Sequence, residues 1–334
     1  MKALTGIRVL DLTRLLPGAV ATQQLADWGA EVIKIEPPGA GDYARRMNPP
    51  LFARTNSGKK SVVLDLKTMA GADALRRLSR TADVLVEGNR PGVMERLGVG
   101  YDALARENAL LIYVSITGYG QSGPYAGLAG HDINYIGLGG LLGLNLPVIP
   151  GVQIADLVGG SMQAVTGILL ALQERSRTGR GCFVDVSMLA GVLSLLPIPL
   201  AQYAATGRDP KPGTETLNGA FACYQVYEAA DGRWLAVGAL EPKFWRELCQ
   251  RLDCEDLIPL QFSGGADQSG VKERVAAIFK TKTAEEWFEA LRDGDCCVTP
   301  VRSIAEIAAE LPPFTGAPPP ELGEHTQEIL GALA

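Results

Sequence analysis

Three ionisable side chains of this sequence lie in settings flanked by glycine or proline, where a side chain is available for acid/base chemistry. His131 lies in the motif GHDINY at residues 130–135, Asp156 lies shortly before a pair of glycines, and Glu241 lies between a leucine and a proline. The chain has two histidines, and an imidazole titrates near neutral pH. The residue types therefore point to proton transfer, and our hypothesis is transfer to and from a carbon atom.

Each of these side chains also has a structural interpretation. Asp156 follows a predicted strand end at 153–155, and it would cap the helix that comes next, which is a common role of aspartate. His131 would be a loop residue bonded to backbone, and Glu241 would complement the positive N-terminal end of a helix. The functional alternative for Asp156 is that ligands bind outside the carboxyl ends of parallel strands. Backbone N–H groups around Asp156 and Gly159 are then candidates to stabilise an oxyanion.

The hydrophobic pattern of the chain predicts two domains. Short β-rich segments alternate with helical stretches in the first half, which indicates an α/β fold, a large Rossmann-like domain with a mainly parallel sheet. A smaller α+β domain is predicted after a segment rich in glycine, proline and threonine. The predicted bounds are 1–205 for the large domain, to which 305–334 returns, 206–219 for the linker and 220–304 for the small domain. The predicted strands are 7–12, 31–35, 61–64, 83–86, 110–116, 153–155, 183–187, 223–228 and 234–238. The predicted helices are 18–28, 70–79, a long helix that follows Asp156 and ends at 175–181, 189–203, 243–252, 272–279, 284–291 and 326–333.

Composition excludes several classes of partner. The 334 residues carry a net charge of −6, and this balance argues against binding to a nucleic acid backbone. The six cysteines form no CxxC pair, as expected for reduced thiols in the cytoplasm. The N-terminus lacks the pattern of a signal peptide. The uncharged run at 133–155 is interrupted by glycine and proline, so we expect no membrane span.

Segments that follow strands form a second group of candidates, for ligand binding. Residues 36–42 and 87–92 each come directly after a predicted strand, at the sheet edge where phosphates or adenine could dock. Neither segment is a glycine-rich nucleotide loop by its spacing. Basic side chains could supply phosphate contacts, although solvation at the surface is their usual role; the candidates are Lys59, Lys60, Lys67, Arg90 and Arg96.

Several motifs occur in order along the chain: GIRVLDL at 6–12, GAEVIKIE at 29–36, SVVLDLK at 61–67, RPG at 90–92, TGYGQSGP at 117–124 and GEHT at 323–326. Over roughly the whole chain they resemble the family III CoA-transferases. Within that superfamily the chain is most similar to the α-methylacyl-CoA racemases, because GHDINY at 130–135 carries histidine where transferases usually have another aromatic residue. The motif GALEP at 238–242 is the second racemase feature.

The resemblance implies an isomerase that inverts 2-methyl-branched acyl-CoA thioesters. It implies that His131 and Asp156 are the two acid/base groups beside the substrate α-carbon and that Glu241 orients His131. No metal and no separate cofactor are implied, because CoA is part of the substrate, and the implied partner is a second copy in an interlocked homodimer. The residues implied to line the CoA and acyl site are Leu64, Asp65, Leu66, Lys67, Gly88, Asn89, Arg90, Pro91, Arg96, Gly130, Asp132, Ile133, Asn134 and Tyr135.

Two alternatives stay open. Related transferases use the position of Asp156 for a carboxylate nucleophile, so the chain could instead move CoA between carboxylic acids. It could also be a CoA-thioester-binding protein without catalytic activity. Two departures from the family pattern bear on the ligand: Pro37 stands where the family often has arginine, and the segment 136–155 is short. We therefore expect altered contacts to CoA and to the acyl chain at these places.

Overall fold

The computed structural model describes residues 2–313 and 315–333, and the chain divides into two units. The larger unit consists of Met1–Leu142, Pro147–Ile198 and Thr315–Ala334, and the smaller of Gly143–Leu146 and Pro199–Phe314. The predicted α/β class, with a large parallel sheet and a smaller α+β part, is confirmed. The domain bounds given by the sequence analysis stay predictions.

The larger unit is built on a parallel sheet of six strands in the order β3-β2-β1-β4-β5-β6. The strand order reverses at β1 and β4, and in open α/β sheets the crevice outside such a switch point is where ligands bind. The interior strands β4 and β5 are buried along their whole length, because helices cover both faces of the sheet. The strands are β1 Arg8–Leu12, β2 Glu31–Glu36, β3 Lys60–Val63, β4 Val84–Glu87, β5 Ile112–Thr117 and β6 Phe183–Ser187.

Two hydrophobic clusters cover the two faces of this sheet, because alternate side chains of each strand point to opposite faces. Val9, Val84 and Val114 belong to one cluster, and Leu10 and Leu85 belong to the other. The helices up to the end of the sheet are α1 Pro17–Asp27, α2 Ala44–Met47, α3 Pro49–Thr55, α4 Met69–Ser79, α5 Val93–Arg96, α6 Tyr101–Glu107, α7 Asp132–Leu138, α8 Gln163–Thr178 and α9 Met188–Leu193.

A π-helical segment, Ala155–Met162, precedes α8 directly. The predicted strand end at 153–155 is therefore wrong. Together the two form one helix, Ala155–Thr178, which is long and apolar enough to cross a membrane by length and composition, with 39% of its apolar window buried. Such a helix is weak grounds for a membrane span, because Ala164 and Ile168 are fully buried in the core of the unit. The predicted cytoplasmic location and the absence of a membrane partner stay predictions.

The smaller unit has an antiparallel sheet in the order β7-β8-β9, with helices packed on a core that contains Trp245, Phe279 and Trp287. The remaining elements are α10 Pro197–Thr206, β7 Tyr224–Glu228, β8 Trp234–Gly238, α11 Pro242–Arg251, α12 Gly265–Phe279, α13 Ala284–Leu291, β9 Val298–Pro300, α14 Ile304–Glu310 and α15 Thr326–Gly331. The last helix belongs to the larger unit, where the N–H of His325 donates to the Ser61 carbonyl at 2.9 Å.

Candidate active site

A cavity of about 500 Å³ opens at the carboxyl edge of the parallel sheet. Its walls come from the turn after β1, the segment after β4, the loop between β5 and α7, and Met188 at the start of α9. This is the crevice beside the switch point between β1 and β4. His131 lines it.

His131 is positioned as the residue before the first turn of α7, with an extended backbone. Its N–H donates to Oδ1 of Asn134 at 3.0 Å, and the Asn134 N–H donates to the His131 carbonyl at 2.8 Å. The Tyr135 hydroxyl donates to the Gly130 carbonyl at 2.6 Å. A Cβ atom at position 130 would lie 2.8 Å from the Tyr119 hydroxyl oxygen. The motif GHDINY thus fixes the backbone here, and the side chain of His131 is left exposed.

Asp156 lies in the first turn of the π-helical segment, half-buried, and its N–H donates to Oδ1 of Asp132 at 3.0 Å. The residue before the segment is Ile154, which forms no side-chain cap. The predicted capping role of Asp156 is therefore wrong. The backbone N–H of Asp156 is bonded to Asp132 and is not free for the predicted oxyanion role. The same role for the N–H groups around Gly159 stays a prediction. π-Helical turns are rare and occur often at functional sites.

Glycines allow the π-helical segment to pack closely on its neighbours. A Cβ atom on Gly159 would lie 2.6 Å from the Met188 carbonyl oxygen, and one on Gly191 would lie 2.3 Å from the Gly159 Cα. The buried hydroxyl of Ser161 donates to the Pro17 carbonyl at 2.6 Å, which ties the segment to α1. The backbone that carries Asp156 is therefore held between α1 and α9.

The electrostatics of the site set Asp156 apart. Burial and the neighbouring carboxylate of Asp132 raise the pKa of Asp156 to about 6, and the positive charge of His131 opposes that rise. Burial and the Asp156 charge raise the pKa of Tyr135 to about 12. The His131 and Asp156 side chains are thus close enough for their charges to interact. The site therefore brings an imidazole together with a carboxyl group whose pKa is raised.

Glu241 belongs to the smaller unit, where it is exposed and precedes α11. Its carbonyl oxygen accepts N–H bonds from Phe244 at 3.0 Å and Trp245 at 3.1 Å, and Pro242 is the first helical residue. Proline is favoured there because its φ is preset for a helix. The predicted interaction of Glu241 with His131 stays a prediction.

The residues implied to contact CoA and the acyl chain are distributed over two cavities. Leu64, Asp65, Leu66 and Lys67 line a second cavity, of about 250 Å³, beside the first. Gly88, Arg90, Pro91, Gly130, Asn134 and Tyr135 line the larger one, and Asn89 lines both. Asp132, Ile133 and Arg96 line neither: Asp132 holds the Asp156 backbone, and the other two are exposed.

Sequence reasoning missed Arg14, which lines both cavities, and it misplaced Lys59. Arg14 follows β1 as directly as Arg90 follows β4, and this position after a strand was a usable signal. Lys59 was expected at the surface or on a phosphate, but it is 3% exposed, and its Nζ lies 3.1 Å from Oδ2 of Asp11. That expectation is wrong.

Lys59 belongs to a buried ionic network beneath the turn after β1. Its Nζ also donates to the Thr22 hydroxyl at 2.8 Å and to Asn56 Oδ1 at 3.0 Å. The fully buried Lys34 donates to the Thr13 carbonyl at 3.0 Å and pairs with Asp42 at 2.9 Å. We call Asp11, Lys34, Asp42 and Lys59 the buried ionic network.

Comparisons with known proteins agree with this architecture. The model of CoA-transferase family III matches residues 4–314. The chain is 38% identical to the human alpha-methylacyl-CoA racemase, over 98% of this chain and 92% of the relative. It is 32% identical to the mouse succinyl-CoA:glutarate CoA-transferase, over 99% and 86%. A CAIB/BAIF family protein from Brucella suis has a similar solved structure, with a TM-score of 0.83, 28% identity and coverage of 99% of each chain.

The chain belongs to CoA-transferase family III. The family is enzymatic and acts on CoA thioesters, and its members include both racemases and transferases among the relatives of this chain.

Proposed function

We propose that this protein inverts the configuration of 2-methyl-branched acyl-CoA thioesters by removing and returning the α-proton through an enolate. One observation carries the proposal: the His131 imidazole lies beside an aspartate whose pKa is raised to about 6. The similarity to the human alpha-methylacyl-CoA racemase supports the same choice.

The chemistry requires two proton carriers because a racemase must work on both hands of its substrate. One group takes the proton from the α-carbon, the electron pair of the C–H bond moves onto the thioester carbonyl oxygen, and an enolate forms. The other group then delivers a proton to the opposite face of the α-carbon as the carbonyl is restored. Neutral His131 works with protonated Asp156 in one direction, and imidazolium works with carboxylate in the other.

The raised pKa of Asp156 suits this exchange of roles. An aspartate with a pKa near 3.8 would almost never carry a proton at neutral pH. With a pKa of about 6, roughly a tenth of the Asp156 side chains are protonated at pH 7. General acid catalysis is most effective when the pKa lies near the working pH.

The two cavities at the sheet edge supply the binding part of the proposal. We assign the acyl end to the larger cavity, because His131 lines it, and the nucleotide end to the smaller one. The predicted contacts of Leu64 to Lys67, Gly88 to Pro91 and Gly130 to Tyr135 are part of this proposal, as is the positioning of His131 by Glu241. No metal or further cofactor is proposed, since CoA enters with the substrate.

A CoA-transferase is the second candidate, because relatives with that activity match almost the whole chain. In that reaction the Asp156 carboxylate attacks the thioester carbonyl, CoA leaves as the thiolate, and an acyl-enzyme anhydride forms. The CoA thiolate attacks the Asp156 carbonyl of the anhydride, which releases the donor carboxylate and leaves a thioester on Asp156. The acceptor carboxylate then displaces the thiolate to form a second anhydride, and the thiolate attacks its acceptor carbonyl to give the new CoA thioester and free Asp156. A binding protein without catalysis is the third candidate.

The decisive experiment incubates one enantiomer of a 2-methylacyl-CoA with the protein in deuterated water. We expect deuterium at the α-carbon and appearance of the other enantiomer without any added carboxylic acid. NMR loss of the α-proton signal measures the exchange. Product formation that requires an acceptor acid, without α-deuterium, would show a transferase, and tight binding with neither reaction would show a binding protein.

The two histidines provide a matched pair of variants. His131→Gln should reduce exchange by at least about 10²-fold, because one proton carrier is lost. His325→Gln should retain exchange, since the Nδ1 atom of that residue accepts a backbone N–H from Ser61. Equal exchange in the His131 variant and the wild type would contradict the assigned role.

An interlocked homodimer is also part of the proposal. Large apolar side chains are exposed along α8 and α10, including Leu169, Leu170, Ile198 and Leu200, and such surfaces are often covered by a partner. Sedimentation velocity at micromolar concentration should give the mass of a dimer. A stable monomer would contradict this arrangement.

A further inference from the structure

Arg14 lies at the junction of the two cavities. Of the described residues that line them, Arg14 and Asn89 line both. Lys67 lines only the smaller cavity and Arg90 only the larger. A ligand that occupies both cavities therefore passes Arg14, the basic residue that they share.

Buried charged side chains form hydrogen bonds with the residues on both sides of Arg14. The N–H and hydroxyl of Thr13 donate to Oδ1 of Asp11 at 2.9 Å and 2.6 Å, and the Thr13 carbonyl accepts from Lys34. On the other side the Leu15 N–H donates to Oδ1 of Asp42 at 3.2 Å. Leu15 has a φ of 60°, a left-handed conformation that is unfavourable for leucine. Strained backbone of this kind persists only where the surroundings enforce it and is frequent at ligand sites.

The guanidinium of Arg14 has an aromatic neighbour and no acidic partner among the described residues. It lies 5.3 Å from the centre of the Tyr43 ring and donates to the Tyr43 hydroxyl at 3.2 Å. Within residues 2–313 and 315–333 no carboxylate forms an ion pair with it. Arg45, by contrast, is neutralised by Glu36, with bonds of 2.8 Å and 2.7 Å. Pro37, which also lines the smaller cavity, brings no charge.

We propose that Arg14 binds the diphosphate that joins the pantetheine arm to the adenosine part of the CoA thioester. The assignment rests on the proposed function only in that the ligand is a CoA thioester with its acyl end at His131. The nucleotide then occupies the smaller cavity, where Leu64, Leu66, Met94 and Leu97 offer apolar walls. The diphosphate lies between the two ends, at the shared wall. A guanidinium fits two phosphate oxygens at once, and Arg14 thereby supplies the charge that Pro37 lacks.

Calorimetric titration with CoA itself tests this assignment without any turnover. The ligands are CoA, 3′-dephospho-CoA, which keeps the diphosphate, and pantetheine, which has no phosphate. Arg14→Met should weaken binding of CoA and of 3′-dephospho-CoA by the same factor, about 10- to 100-fold, as for a charged hydrogen bond. Pantetheine binding should be equal in variant and wild type. Arg14→Lys should recover part of the loss, because it restores the charge without the fork geometry.

Arg106→Met is the matched control. Arg106 is exposed in the last turn of α6, and that helix leads into the start of β5, at the sheet edge opposite the cavities. The control should bind all three ligands as the wild type does, and thermal unfolding of each variant reports that it is folded.

The outcomes separate the two proposals. Unchanged CoA binding in Arg14→Met overturns the assignment, and so does an equal loss for pantetheine, which would indicate packing. A loss that disappears with 3′-dephospho-CoA would place Arg14 on the 3′-phosphate and also overturn it. These results leave the proposed function intact. Wild-type protein that binds no CoA would overturn the proposed function itself, and the Arg14 assignment with it.

Discussion

Two aspartates of the larger unit, the fully buried Asp11 and the half-buried Asp156, differ in their surroundings. Burial alone would raise the pKa of Asp11, yet the ammonium groups of Lys34 and Lys59 outweigh burial and hold that pKa far below its usual range. At Asp156, burial acts together with the neighbouring carboxylate of Asp132, and the pKa rises to about 6. The pKa of the buried Asp11 is thus lowered and that of Asp156 is raised, and the sign of the neighbouring charges decides the direction.

The difference separates a structural site from a reactive one. Asp11 accepts bonds from Thr13 and Thr22 and pairs with Lys59, so its charge is compensated at neutral pH. Asp156 has no lysine or arginine bridge among the described residues, and its charge is opposed by Asp132 and favoured by His131. A compensated carboxylate stabilises a fold, whereas an uncompensated one beside an imidazole is poised to move a proton.

The largest effect is expected for Asp156→Asn, which removes a proton carrier with little change in shape. We expect α-proton exchange to fall by about 10³- to 10⁴-fold, because an amide can neither accept nor deliver the proton. The assay is α-deuterium uptake measured by NMR. Exchange within tenfold of the wild type would show that Asp156 does not carry the proton.

The same variant, Asp156→Asn, tests whether the pKa of Asp156 is raised in the folded protein. The native carboxyl group keeps its proton up to a pH of about 6, whereas in the unfolded chain it loses the proton near its usual pKa of about 3.9. Between those values the native state binds more protons, so this group lowers the stability of the wild type as the pH rises. Asp156→Asn should therefore gain stability relative to the wild type between pH 4 and pH 7, as measured by urea unfolding. A relative loss over that range would contradict a raised pKa.

The second prediction concerns the contribution of the buried ionic network to stability, and it compares substitutions of two neighbouring lysines. Lys59→Met leaves Asp11 without its closer cation and should lower the free energy of unfolding by about 3 kcal/mol. Lys60 is next in the chain but partly exposed, with Glu31 and Glu328 each at 3.1 Å. Lys60→Met should cost less than about 1 kcal/mol, as surface pairs do. Equal losses in urea unfolding would mean that the network adds nothing specific to stability.

The third effect concerns how packing positions Asp156. Gly191→Ala places a methyl group 2.3 Å from the Gly159 Cα and 2.8 Å from its carbonyl oxygen, and backbone must move to accept it. We expect a loss of about 2 kcal/mol in stability, as for an overpacked core, together with slower exchange. Gly270→Ala in α12 is the control, because its Cβ would meet nothing within 4 Å. Slower exchange in the control, or an unchanged rate in Gly191→Ala, would contradict the positioning role.

Much of the larger unit was predictable because its strands bury both faces. Such strands are mainly apolar runs with glycine nearby, and β1, β2 and β4 were predicted to within one residue. The strand expected at 153–155 failed for a different reason. Local composition cannot show that Gly159 will pack against Gly191 and Met188 of α9. That close packing accompanies the π-helical segment.

The positions of charged side chains were harder to predict from the sequence than the strands. Lys34 lies within the apolar strand β2, and its burial could have been inferred, since a lysine there must meet a carboxylate. Lys59 and Lys60 are adjacent residues of the same type, so the sequence does not show which of them is buried. In the structure the Lys59 side chain is buried and the Lys60 side chain is partly exposed. Residue type and setting made His131 and Asp156 candidates, but only the family resemblance favoured a catalytic role over their structural interpretations. Their electrostatic coupling depends on α7 and the π-helical segment meeting through Asp132, which no spacing rule predicts.

The smallest effect is expected for Asp132→Asn, and it isolates the neighbouring charge from burial. The amide oxygen can still accept the Asp156 N–H that Asp132 accepts at 3.0 Å, so the backbone should stay in place. Removal of the like charge lowers the pKa of Asp156, since Asp132 is the second cause of its rise after burial. The limb of the pH–rate profile of kcat/KM that reports Asp156 should move to lower pH by less than about one unit, because burial remains. A limb that stays in place would assign the raised pKa to burial alone, and the contrast with Asp11 would then depend on the lysines and not on the carboxylate at Asp132.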